Sequence, residues 1–343
     1  MLRIRTVAVA AIAAAGLVLA GCGSSSNPLD TGSSAASETD SSPSPAPATD
    51  TAATSEASVD ATTEASSSAA STTATTQQPI VIGSANFTES ELVAQIYAAA
   101  LTAKGIDAST HLDIGAREVY LQAMEEGSVT LFPEYTGGLL AYYDASSTAH
   151  SADDVYAALQ KALPADLSVL TYSPAQDQDS VTVTKETAAK YKLESIGDLA
   201  PVAGDMTLGG SSEWQTRADG PQGMEKLYGV KFKDYKVLDP GGPLSVKGLQ
   251  TGLVQATDIF TTDPAIEDNG FVVLKDPKNL FLAQNIVPLI AASAATPAVT
   301  DALNAVSAKL TTEGLTQMLK EISDTKADPA DVAQKWVSDN GLS

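Results

Sequence analysis

The sequence holds one cysteine, Cys22, and two histidines, and beyond residue 78 it holds two arginines. A single cysteine excludes disulfides within the chain, CxxC redox chemistry and thiolate-bound zinc. His111 and His150 belong to no HExxH pattern and stand beside no candidate nucleophile, and neither a GxSxG elbow nor a P-loop occurs. Carboxylates are abundant, so an acid and base pair stays open on sequence alone, but little other catalytic machinery is present and no enzyme is expected. No cofactor or metal site is expected either. Long apolar runs are also lacking: Val7 to Ala20 is too short to span a bilayer. Basic residues are few, 20 against 42 acids for a net charge of −22, which argues against nucleic acid or anionic lipid as the partner of this surface.

What is present begins with a leader. Arg3 and Arg5 precede the apolar run, so residues 1–21 read as a signal peptide. The run closes on Leu19-Ala20-Gly21-Cys22, which resembles the bacterial lipobox, where the cysteine thiol takes a diacylglycerol and the chain is cut before it. Cys22 is therefore the expected lipidation site. Residues 23–78 are Ser, Thr, Ala, Pro and acids with no Lys or Arg, a composition that cannot build a core and predicts a disordered tether. Such a coil spans roughly 40 Å. The expected location is the outer face of a bacterial cell membrane, with contact to the membrane through the lipid alone.

Setting aside the seven acids of the tether and the two arginines of the leader, residues 79–343 carry 35 acids and 18 basic residues, a net charge of −17. Their patterns alternate between strand and helix. PIVIG reads as a strand, and Thr88-Glu89-Ser90-Glu91 has capping-box spacing before a helix that repeats Leu92, Val93, Ile96, Tyr97, Ala100 and Leu101 and closes at Lys104-Gly105. IDASTHL, VTLFP, LSVLTY, SVTVT, DMTLG, YKVLD and ATDIF read as further strands. Helices fall at Ala116 to Glu126, from Ser151, at Thr187 to Tyr191 and before Tyr228-Gly229, and three more close the chain at Pro297–Leu310, Thr312–Ile322 and Asp328–Asn340. The alternation predicts an α/β chain in two lobes, with parallel sheets, crossover helices and a cleft at the strand ends. LFPEYTGG, residues 131–138, looks like one such strand end, placing an exposed tyrosine on glycine-rich backbone that a ligand can approach.

IGSANFTESEL, GAREVYLQAMEEGSVTLFPEYTGG, TRADGPQGMEKLYGVKF, GLQTGLVQATDIFTTDPAI and FVVLKDPKNLF resemble, in order and spacing, blocks of the substrate-binding proteins of osmoprotectant ABC importers, which take up glycine betaine, choline, carnitine or proline betaine. The resemblance covers residues 79–343. It implies a two-lobed periplasmic-binding-protein fold of the Venus-flytrap type II kind, with two interlobe crossovers, in which residues 79–182 and 287–343 form lobe 1 and residues 183–286 form lobe 2. It implies a monomer that captures a small molecule and passes it to a membrane permease with a cytoplasmic ATPase.

The same resemblance implies site residues. Betaine-binding members surround the trimethylammonium with tyrosines and hold the carboxylate with Lys, Arg and Thr; a quaternary ammonium has no N–H, so ring faces must recognise it. Tyr135 and Arg217 stand where the family has its tyrosine and arginine, and Asn86, Phe87, Thr136 and Gly137 fall in the same blocks. Arg117, the other arginine, is the weaker candidate for the carboxylate. This chain departs elsewhere: Ala85 replaces a lysine, Gly138 a threonine, Phe260 and Gln284 replace tyrosines, and the place of a further family tyrosine falls around Ser180, in QDQDSV, which has none. Two of four cage aromatics remain, Tyr135 and Phe260, with Phe87, Tyr172 and Trp214 as possible substitutes. Glu134, Asp177, Asp179 and Glu213 suggest more hydrogen-bonding groups, suited to a ligand bearing N–H or O–H, such as an amino acid or a thiohistidine betaine. An enzyme or an adhesive lipoprotein is the remote alternative.

Overall fold

The computed structural model of the protein describes residues 79–343; the expected signal peptide, Cys22 and the tether lie outside the described residues. β1 (Ile80–Gly83) leads into α1 (Thr88–Ala103), which buries Leu92, Val93, Ile96, Tyr97, Ala100 and Leu101 and closes where Gly105 takes φ +74°. The expected capping box does not form. Phe87 stands at the cap position without a side-chain bond, and Glu89 turns into the interior. Then come β2 (Ala108–His111), α2 (Arg117–Glu125), β3 (Leu131–Tyr135), α3 (Thr136–Tyr143), α4 (Ala152–Ala162) and β4 (Leu167–Val169). Ser151 caps α4 by accepting from Asp154 N–H, as its spacing predicts.

The second half runs β5 (Val181–Val183), α5 (Lys185–Tyr191), β6 (Thr207–Gly210), α6 (Pro221–Tyr228), β7 (Asp234–Val237), α7 (Pro243–Gln250), β8 (Ala256–Asp258), α8 (Ala265–Asp268) and β9 (Val272–Val273). β10 (Ile286–Ala291) and the helices α9 (Pro297–Ser307), α10 (Thr312–Thr325) and α11 (Pro329–Asp339) finish the chain. Among the described residues no helix is long and apolar enough to cross a membrane.

The strands make two five-stranded sheets, in the orders β2-β1-β3-β10-β4 and β7-β6-β8-β5-β9. The chain passes from the first to the second between β4 and β5, and returns between β9 and β10. The expectation of parallel sheets is corrected in part: β1 pairs β2 and β3, and β6 pairs β7 and β8, in parallel, but β10 runs antiparallel to β3 and β4, and β5 antiparallel to β8 and β9. The reason is topological. A crossover helix keeps successive strands parallel within one sheet, whereas β5 and β10 are each entered from the other sheet with no helix between.

The first sheet packs α1 with α9, α10 and α11 around Ile82, Leu92, Ile96 and Val332, while α2, α3 and α4 cover Phe132, Leu139 and Val155. The second has its own core around Trp214, Met224, Leu208 and Ile196. Residues 131–138 also need correcting. They are no loose strand end, because β3 is buried along its whole length and runs straight into α3. Tyr135 is only 9% exposed.

Candidate functional site

Loops from both sheets converge on one cavity of about 290 Å³. Residues 85–90, between β1 and the first turn of α1, form one wall. The start of α2 and the end of β3 form a second, and residues 211–217 after β6 with Phe260 after β8 form a third. Asp177 and Asp179 on the outgoing crossing, and Gln284 on the returning one, complete the lining.

The wall at α2 is built from a buried ion pair. Arg117 donates from Nε and Nη2 to Glu134 at 2.8 and 3.0 Å. Glu134 also accepts from Tyr120 O–H at 2.5 Å and from Tyr135 N–H at 2.7 Å. Four donors therefore saturate a carboxylate that is fully buried. Burial pulls the Arg117 basicity down, but the Glu134 charge and hydrogen bonds more than offset it and hold Arg117 well above its ordinary value. Burial likewise pushes the Tyr120 phenol well up, so it stays a neutral donor. The glycines after Tyr135 serve this wall rather than a ligand: a Cβ on Gly138 would lie 2.8 Å from Arg117 Nη2, and one on Gly137 would lie 2.7 Å from the Ala283 carbonyl oxygen.

Three rings meet at the opposite wall. Phe87 lies 4.9 Å from Phe260 and 6.1 Å from Tyr135, centroid to centroid. Behind them, Glu89 accepts from Tyr135 O–H at 2.7 Å and from Thr262 O–H at 2.5 Å. Asp177 accepts from Thr262 N–H at 3.1 Å and lies against Glu89. Burial, only partly offset by these bonds, pushes Glu89 up to about 7, and burial beside Glu89 pushes Asp177 well up. The pair therefore keeps a proton under conditions where an exposed carboxyl loses it.

Arg217 reaches the cavity from the second sheet, but its fork is occupied. Nε and Nη2 hold Glu118 of α2 at 3.1 to 3.3 Å. Of the residues expected at the site, Tyr135, Arg217, Phe260, Gln284, Asn86 and Phe87 do line the cavity. Thr136 and Gly137 do not: Thr136 is fully buried, donating to the Ala283 carbonyl and accepting from Asn285 N–H, so both residues clamp α3 to the returning crossing. Of the possible substitutes, only Phe87 joins the rings. Tyr172 donates to Asp153 beside Tyr156, and Trp214 is buried in the second core. Tyr120 and Phe132, stacked at 3.7 Å, were not foreseen. Tyr120 lies one turn after Arg117, so the α2 pattern held a signal for it.

Two α/β sheets joined by two crossings, with a ring-lined cavity at the strand ends between them, define a solute-binding protein of the periplasmic type. Comparison with known proteins makes this specific. Residues 78–339 match the family described as the substrate-binding domain of ABC-type glycine betaine transport systems, and the chain belongs to that family. It is 27% identical to the glycine betaine-binding protein YehZ of Escherichia coli (strain K12), over 77% of this chain and 91% of that protein. It is 24% identical to the ergothioneine transport permease/ergothioneine binding protein EgtU of Helicobacter pylori (strain G27), over 60% of this chain and 37% of that protein. The crystal structure of a glycine betaine/carnitine/choline ABC transporter superposes with a TM-score of 0.62 at 22% identity, covering 77% of this chain and 99% of that one, a likeness of fold.

Proposed function

We propose that this chain is the extracytoplasmic solute-binding component of an ABC importer, capturing a small molecule with a quaternary ammonium group and delivering it to a membrane permease whose ATPase is a separate chain. The observation that carries this is the cluster of Phe87, Tyr135 and Phe260 in a cavity of small-molecule size, set where both sheets contribute walls. Ring faces attract a cation that has no hydrogen to donate, at about 0.5 to 2 kcal/mol each when desolvated. Residues 79–182 with 287–343 would act as one lobe and 183–286 as the other, closing on the solute as a monomer. Cys22 would carry the lipid that keeps the protein at the outer face of the membrane. No step of bond making is needed for this role, and the solute should be recovered unchanged.

A second reading keeps the importer role but takes a betaine that also bears N–H groups, such as a thiohistidine betaine. It is supported by the acids and amides beside the rings and by the similarity to EgtU. Calorimetric titration with glycine betaine, choline, carnitine, amino acids and ergothioneine separates the two readings. Phe260→Ala should weaken the best ligand about tenfold, the worth of one good ring face. An unchanged dissociation constant would remove the rings from the recognition mechanism.

A further inference from the structure

Both arginines of the cavity have their forks closed by carboxylates of the protein itself. Arg117 spends Nε and Nη2 on Glu134, and Arg217 spends the same two atoms on Glu118. A ligand carboxylate would find the Nη1 corner of each, a one-point contact in place of the bidentate one for which arginine is suited. The remaining charge acts in the same direction. Asp179 and Glu213 also line the cavity, so an entering carboxylate gives up its hydration beside further acids, while an entering cation is drawn in.

Resting on the importer reading above, we infer that Glu118 fills the place a ligand carboxylate would otherwise take, so that the site selects a quaternary ammonium with a neutral, hydrogen-bonding far end over a zwitterion. Asn86, Ser211 and Gln284 line the same cavity and supply groups for that far end. Glu118 is suited to this part by its position. It projects from α2, on the first sheet, to an arginine that follows β6, on the second. Burial tends to raise its carboxyl, but the Arg217 hydrogen bond and charge outweigh that and hold it below the ordinary value. Its side chain is 44% exposed, so the bridge contributes little stability. It acts on selectivity, as the repelling element against one class of solute.

The test compares choline with glycine betaine, which share the trimethylammonium head and differ in a hydroxymethyl against a carboxylate. Calorimetry on the wild-type protein should show choline binding at least about tenfold more tightly. Glu118→Gln keeps the shape and releases the Arg217 fork; it should tighten glycine betaine and weaken choline slightly through the lost bridge, moving their affinity ratio about tenfold toward glycine betaine. Glu118→Ala should move the two affinities in the same directions, which guards against an effect peculiar to the amide. A wild-type preference for glycine betaine, or a ratio that neither variant alters, overturns the inference and leaves the importer reading standing. Silence toward every quaternary ammonium, in wild type and variants alike, overturns the importer reading and the inference with it.

Discussion

Replacing Glu134 with alanine removes the acceptor of four donors at once: Arg117 Nε and Nη2, Tyr120 O–H and Tyr135 N–H. The Arg117 side chain is 11% exposed, so its charge would be left with little water to solvate it. Breaking one side of a buried ion pair costs about 3 to 5 kcal/mol, because the other side stays charged and uncompensated. In a domain of this size each kcal/mol moves the melting temperature by about 2 to 4 °C, so a fall of roughly 6 to 20 °C is expected. Calorimetric melts of the wild type, Glu134→Ala, Arg117→Leu and the double variant Arg117→Leu/Glu134→Ala measure it. The double variant removes both charges and should recover most of the loss, giving a strongly non-additive cycle. If Glu134→Ala melts within about 2 °C of the wild type, or if the double variant loses the sum of the singles, the claim of a desolvated, coupled pair is wrong.

Stability should also depend on pH through Glu89. Burial, opposed by the bonds from Thr262 and Tyr135, raises it from 4.5 to about 7, so the native state keeps a proton that the unfolded chain releases. Its contribution is full below pH 4.5 and is lost as pH rises through about 7. Urea titrations across that window should show stability declining with pH and a shallower decline in Glu89→Gln; identical slopes would exclude Glu89 as a source. Gly138→Ala should cost about 1 to 3 kcal/mol through overpacking, since the Arg117 guanidinium that its Cβ would meet is pinned by Glu134 and cannot step aside. A melting temperature equal to that of the wild type would show that Arg117 has room to move.

The local half of this structure was legible in the sequence. Apolar residues at helical spacing gave α1 its buried face, and Ser151 with Asp154 placed the start of α4, because those signals depend on neighbours within a turn or two. Where reading went wrong, a partner distant in sequence had won. Thr88 and Glu91 had the spacing of a capping box, yet the cap does not form, and the oxygens of Glu89 between them bond Tyr135 and Thr262, the latter 173 residues away. Gly138 looked like backbone left bare for a ligand, but it makes room for Arg117. Arg217 was marked out by the scarcity of arginine; its engagement by Glu118, 99 residues away, is written in the packing of α2 against the loop after β6 and in no local pattern. The antiparallel strands were missed for a related reason, since periodicity reports the type of an element and not the sheet from which it is entered.

Those distant partners also indicate how firmly the cavity is shut. Four contacts bridge groups carried by different sheets: Glu118 of α2 with Arg217 after β6, Glu89 of α1 with Thr262 after β8, Phe87 with Phe260, and Lys320 of α10 with Asp268 of α8, the last open to solvent and adding little. The Glu118–Arg217 pair is partly exposed and worth about 0.2 to 1 kcal/mol. The hydrogen bond contributes about 0.5 to 1.5 kcal/mol net, and the ring pair about 0.5 to 1.5 kcal/mol beyond its burial. On the proposed closure of two lobes, about 1 to 4 kcal/mol would leave an open state populated from roughly 15% down to 0.1%, enough for a solute to enter without any driving reaction. It also sets a modest requirement on the solute. An ammonium that adds two ring contacts of about 0.5 to 2 kcal/mol each and displaces none of the bridges gains an energy comparable with that closure, so binding favours the shut state. A carboxylate that must first remove Glu118 from Arg217 gives up one bridge before it makes its own contact, so the group that opposes zwitterions is also one of those holding the cleft closed.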